Sequence, residues 1–171
     1  MSTDAFLHDV RAVYQGEVLG EALFSALLAA EAVLERRQYL ATMLQLESET
    51  KVRLRPFLVR LGIDVSEEES ARAEGARLAA LYSNRTWPEL LDWLRVETAR
   101  HAELYRSLAA TAAVQDRPDL EYMVDHEELL SRSAAEAMTD STTIARALID
   151  ARLAHPLWEA SPLAGVRNHS L

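Results

Sequence analysis

Cysteine is missing altogether from this 171-residue chain. Disulfides, thiolate zinc or iron–sulfur sites and thiol nucleophiles are thereby excluded. Glycine and proline are scarce, five of each, and none falls between Gly20 and Pro56. A run that long without a breaker, rich in Ala, Leu, Glu and Arg, is expected to be helical. Positive charge is short as well: 18 Lys and Arg stand against 27 Asp and Glu, a net charge of −9. Nucleic acid and anionic membrane surfaces both need basic patches, so neither is expected as a partner. No window approaches the roughly 18 apolar residues of a membrane span. Residues 1–4, Met-Ser-Thr-Asp, carry no basic region leading into an apolar run; no signal peptide is expected, and a cytoplasmic location is the default. A glycine-rich phosphate loop, a strand framework for a nucleotide and a Ser–His–Asp set are also missing. What remains, a 49% hydrophobic chain of this length, suits a single domain over residues 1–171 with a sizeable core.

Apolar residues recur in steps of three and four. Helix one is expected over about 4–32, capped by Ser2 or Thr3, with the stripe Val10, Val13, Glu17, Glu21, Phe24, Leu28. A turn near 34–37 leads to helix two, ending at about Leu61 before Gly62, with Leu40, Met43, Leu44, Glu47, Lys51 and Leu54 on its inner face. Pro56 predicts a kink or an early stop there. Residues 62–88 form a long connection holding a short, mostly polar outer helix. Ser66-Glu67-Glu68-Glu69 reads as its capping box and Tyr82 as its end. Thr86-Trp87-Pro88-Glu89 then signals a strong helix start. Helix three is expected over about 88–113, with the stripe Leu90, Leu94, Glu97, His101, Leu104, Leu108. After a turn at 115–118, helix four covers about 119–138, with Leu120, Met123, Glu127, Leu130 and Ala134 inward. A fifth helix over about 141–153 and an irregular tail close the chain.

Four acids thus sit where an apolar stripe should carry Leu or Ile. Glu17 and Glu47 are 30 positions apart, as are Glu97 and Glu127, and the second pair follows the first by 80. The same offset of 80 aligns Leu28 with Leu108, Arg37 with Arg117, Leu40 with Leu120 and Met43 with Met123, besides four alanine pairs of little weight. The chain reads as two copies of one helical hairpin. The midpoints of the acid pairs, positions 32 and 112, fall close to the expected turns. Each hairpin therefore holds its two acids at one height, and two hairpins face to face bring four to one level. Gly16 and Gly20, inside helix one, provide either close helix packing or space beside a site.

Carboxylates are almost never fully buried unless paired or bound to a cation. Three explanations fit: a metal pair, internal basic partners, or a misplaced stripe that turns the acids to solvent. His101, one turn after Glu97, could supply a nitrogen ligand, and its counterpart in the first hairpin is Glu21. Lys51, one turn after Glu47, is the rival, as a charge partner; Arg100 neighbours His101. His126 lies about 100° around the helix from Glu127 and is expected at the periphery.

Four helices, a long crossover between the second and third, and one interior Glu on each resemble the ferritin-like superfamily over about residues 4–138. That resemblance implies an all-α, up-down-down-up four-helix bundle with an added C-terminal helix. It also implies two divalent metal ions, iron ahead of manganese, bridged by carboxylates. Glu17 and Glu97 would be the single acids of the first and third helices, and Glu47 and Glu127 the heads of Glu-x-x-His motifs. Thr50 and Leu130 stand where those histidines would be, a departure that leaves His101 and Glu21 as substitute ligands. The implied function is an oxidoreductase that activates dioxygen on a small organic substrate or on iron. Rubrerythrin-type peroxidase chemistry in its usual form is not expected without Cys. The alternative is a metal-free bundle serving as an interaction or oligomerisation module. A homodimer is the expected assembly, with Trp87, Trp93 and Trp158 as a candidate contact edge.

Overall fold

A computed structural model describes residues 3–139 and 142–157. Among them every regular element is a helix: α1 (Thr3–Ala30), α2 (Leu34–Arg60), α3 (Glu69–Tyr82), α4 (Trp87–Thr111), α5 (Arg117–Thr139) and α6 (Thr142–Asp150). None is long and apolar enough to cross a membrane. Trp158 and the remainder of the tail lie outside the described residues.

The first turn comes earlier than the sequence suggests. Glu31 accepts hydrogen bonds from the backbone N–H groups of Ala32 and Val33 at 2.8 Å each, which closes the turn in three residues and lets α2 start at Leu34. Pro56 neither stops nor shortens α2, which continues to Arg60. Pro56 and Val52 are both exposed, so the carbonyl that loses its intrahelical partner at Val52 faces water. At α3 the expected capping box does not form: Ser66 turns to Asp64, and Glu68, without a side-chain cap bond, occupies the N-cap position. The box at α4 does form, with the Thr86 N–H donating to Glu89 Oε2 at 2.8 Å.

Helices α1 and α2 pack as one hairpin and α4 and α5 as another, while α6 wedges between α2 and α5. The hairpins meet along α1–α4 and α2–α5, each over a short stretch. Residues 61–68 are pinned to the first half of α1. Tyr14 Oη donates to the Val65 carbonyl at 3.0 Å, Gln15 Nε2 to the Ser66 carbonyl at 2.9 Å, and the Glu68 N–H to Gln15 Oε1 at 2.9 Å. From there α3 runs along α1. It is not merely a polar outer helix, because Gly75 and Ala79 are buried. A Cβ on Gly75 would collide with the Leu19 carbonyl oxygen and approach Ala22 Cβ at 2.9 Å and Leu23 N at 3.0 Å. The missing side chain is what allows the contact.

The core is divided. One apolar cluster gathers Phe24, Tyr39, Met43, Leu91, Leu130 and their neighbours near the 31–33 turn, with α6. The other gathers Tyr14, Leu54, Phe57, Leu120 and Met123 at the opposite end. Between them lies a layer of polar side chains. Trp87 packs edge-on to Tyr39 with ring centroids 5.9 Å apart, and Trp93 stacks on Tyr82 at 4.0 Å; both tryptophans are engaged within the chain.

Candidate functional site

The polar layer holds Glu17, Glu47, Glu127 and His126, each no more than 5% exposed. Glu17 projects from α1, Glu47 from α2, and His126 and Glu127 from α5. A carboxylate oxygen of Glu17 and one of Glu47 lie within 4.8 Å of each other. Burial is the largest cause holding Glu17 well above the usual carboxylate range, followed by the charges of Glu47 and Glu127. Glu47 is raised in the same way, by burial and then by Glu127. Gly20 opens the space that Glu47 occupies, since a Cβ there would lie 2.5 Å from Glu47 Oε2 and 2.7 Å from its Cδ. Gly16 does the same on a smaller scale for Tyr105, whose hydroxyl would be 3.3 Å from an added Cβ. Burial, then the three nearby acids, hold the Tyr105 hydroxyl well above its ordinary range.

His126 is interior, contrary to the expectation from its position on the helix. The step of about 100° from Glu127 turns it from the α4 side of α5 toward α2, and that side is equally buried. Its Nε2 lies 3.5 Å from Glu17 Oε2 and 3.7 Å from Glu47 Oε1. Its Nδ1 is 3.2 Å from Thr50 Oγ1, which is 3.4 Å from the Tyr122 hydroxyl. Burial, with Arg152 adding to it, pushes His126 down to about 3. The ring is neutral, the form that binds metals.

The remaining candidates lie around this cluster. His101 is at its edge, Nδ1 3.6 Å from Glu127 Oε1. Glu127 holds His101 above its ordinary value against the opposing effect of burial, while burial raises Glu127 and His101 offsets part of that rise. Glu97 does not join the buried acids: its side chain is 33% exposed and pairs with Arg100 at 3.4 Å. The interior stripe of α4 runs instead through Leu91, Leu94, Thr98, Ala102, Tyr105 and Leu108, which turns Glu97, His101 and the exposed Leu104 toward one edge. Glu21 is likewise outside the cluster, accepting hydrogen bonds from Ser48 at 2.5 Å and from Lys51. Lys51 binds Glu21 and, at 2.8 Å, Glu67, so its ion pairs run to these two rather than to Glu47. Burial favours neutral Glu21, but the Lys51 and Ser48 bonds outweigh it and lower its value.

Glu17, Glu47 and His126 each offer one ligand-type atom, and these atoms all lie within 4.8 Å of one another. Donors at about 2.0–2.2 Å from a common ion stand roughly 3 Å or slightly more apart, so the observed spacings are near what one cation needs. Glu17 Oε2, His126 Nε2 and Glu127 Oε2 are buried with no hydrogen-bond partner among the described residues. Buried polar atoms without partners are costly. The donor set fits a divalent transition ion: carboxylate oxygens and a neutral imidazole on rigid helices.

Comparison with other proteins adds no identification. No family model matches the chain, and no curated protein or solved structure is significantly similar to it.

Proposed function

We propose that this protein is a ferritin-like bundle that binds divalent iron or manganese in its polar layer and acts as an oxidoreductase on a small organic molecule. The observation that carries the reading is the trio Glu17, Glu47 and His126, buried together, with unpartnered atoms of Glu17 and His126 turned toward one another. Glu127 and His101 extend the donor set toward a second ion. The pairing of α1 with α4 and of α2 with α5, and a crossover that returns the chain alongside α1, agree with the up-down-down-up arrangement. Thr50 stands three residues after Glu47 and contacts His126. The nitrogen that Glu-x-x-His would take from α2 thus comes from α5, with Thr50 orienting it.

When bound, iron or manganese would supply one-electron chemistry toward dioxygen. The chain's own residues would hold and tune it. Glu17 and Glu47, both held above the usual carboxylate range by burial, would have to be deprotonated to hold a cation. Thr50, 3.2 Å from His126 Nδ1, would orient the ring and leave Nε2 available to an ion. His101 can hold a proton beside Glu127.

One observation favours a second reading, a metal-free interaction module. The Glu127–His101 pair already offsets part of the buried charge. Anaerobic calorimetric titration with Fe(II) and with Mn(II) separates the two. Saturable uptake of one or two ions per chain, abolished in Glu17→Gln and in His126→Ala, is expected. Uptake no greater than in those variants would overturn the metal reading and leave the metal-free module.

A further inference from the structure

Between α1, α3 and α4 runs an open groove of about 1250 Å³. It exceeds the roughly 300–1,000 Å³ of an ordinary small-molecule pocket. Along α4 its lining extends from Trp93 to Thr111, about 27 Å at 1.5 Å per residue. The acid layer meets it midway, at Glu17, His101 and Glu127. Apolar walls continue on both sides: Leu23, Phe24 and Leu94 toward the 31–33 turn, and Val13, Tyr105 and Leu108 toward the other end. Leu104, 61% exposed, stands at its edge as an unburied apolar side chain. A space this long, apolar at both ends, suits an extended chain.

Charge narrows the choice further. Beyond Glu17, Glu47 and Glu127 on its floor, the groove is edged by Asp9, Glu68, Glu74 and Glu97. Arg11, the one guanidinium lining it among the described residues, is already held by Glu68 and by the Asp64 carbonyl. Arg77 and Arg100, which offset Glu74 and Glu97, do not line the groove. An anionic ligand would meet the acidic rim at Asp9, Glu74 and Glu97, and like charges brought together disfavour binding.

We propose that the groove binds an uncharged, unbranched long-chain lipid of the aliphatic alcohol type, its chain lying in both apolar halves and crossing the acid layer. This names the substrate class of the proposed metal site, but binding itself rests on the groove alone. Dodecanol, with dodecanoate as the anionic control of equal chain length, is titrated at pH 8 into metal-depleted protein and into protein with Mn(II), with tryptophan fluorescence and calorimetry as readouts. Saturable binding of one dodecanol per chain is expected in both preparations, with dodecanoate at least tenfold weaker. Two variants at exposed positions keep the fold: Ala12→Trp is expected to block dodecanol, and Leu104→Lys to shift preference toward dodecanoate. Absent saturable binding in both preparations, equal binding of the two ligands, or indifference to both substitutions would overturn the inference. Failure of Mn(II) to bind, with dodecanol binding intact, would count against the metal reading alone.

Discussion

At residue 20 the absence of a side chain is what gives the Glu47 carboxylate its place. Replacing Gly20 by Ala removes a helix penalty of about 1 kcal/mol, yet the added methyl group claims space now held by Glu47 Oε2 and Cδ. Gly20→Ala is therefore expected to leave Tm unchanged or slightly higher while weakening Mn(II) binding by about tenfold or more, as loss of ligand orientation does at metal sites. Thermal melts and metal titration on the same preparation check this, and unchanged affinity would mean that Glu47 is not a ligand. The interior acids were legible in the sequence because a carboxylate on an apolar stripe has no inexpensive explanation; Glu17, Glu47 and Glu127 are buried as that logic requires. His126 was not legible by the same logic. Neighbouring a stripe implies exposure only when one side of a helix is buried, and α5 is covered by α4, α2 and α6. Thr50 in the place of a histidine was visible as a departure, but not its contact with the imidazole across the bundle.

Among the elements, α3 shows how a single glycine fixes a helix contact. A Cβ at position 75 would meet the α1 backbone at Leu19 and Leu23, and backbone cannot give way as a flexible side chain can. Gly75→Ala is expected to destabilise the protein by about 1–3 kcal/mol through overpacking, several degrees of Tm at this chain length, despite the better helix propensity of Ala. Urea unfolding checks it; a neutral or stabilising result would show that α3 moves freely on α1. Composition made α3 look like an outer polar helix because burial there runs through Gly75 and Ala79, residues without an apolar signal. The helices themselves were well marked, since breaker-free runs and the Thr86–Glu89 box leave few alternatives. Inner faces were less certain. Two stripes of near-equal period fit α4, and Thr98 and Ala102 line the true one without being strongly hydrophobic.

For the molecule as a whole, the polar layer sets how stability depends on pH. Folded Glu17, Glu47 and Glu127 lie above their ordinary value of 4.5. Their contribution is complete below that value and is lost as pH rises through the folded values. His101, also raised above its ordinary 6.5, loses its contribution in the same direction. His126, pushed from 6.5 down to about 3, acts oppositely: its contribution is present above 6.5 and is lost as pH falls toward 3. Lys51, raised by Glu21 and Glu67 against the effect of burial, keeps its charge throughout this range. The metal-free protein is thus expected to lose Tm as pH rises above 6.5, the ordinary value from which His101 is raised, into the alkaline range. Added Mn(II) should restore more Tm at the higher pH, because its ligands bind deprotonated. Calorimetric melts across that range, with and without Mn(II), decide the matter; a flat metal-free profile would show that the acids are not neutralised by folding. The division of the core has a second consequence, for alignment. Sliding one helix by a single turn, about 5.4 Å, would carry its carboxylate or imidazole out of the layer and into Leu, Phe and Met on either side. An all-apolar interior would tolerate such a slip far better. The groups that make this bundle costly to bury also act as a ruler, leaving its hairpins one height at which they fit.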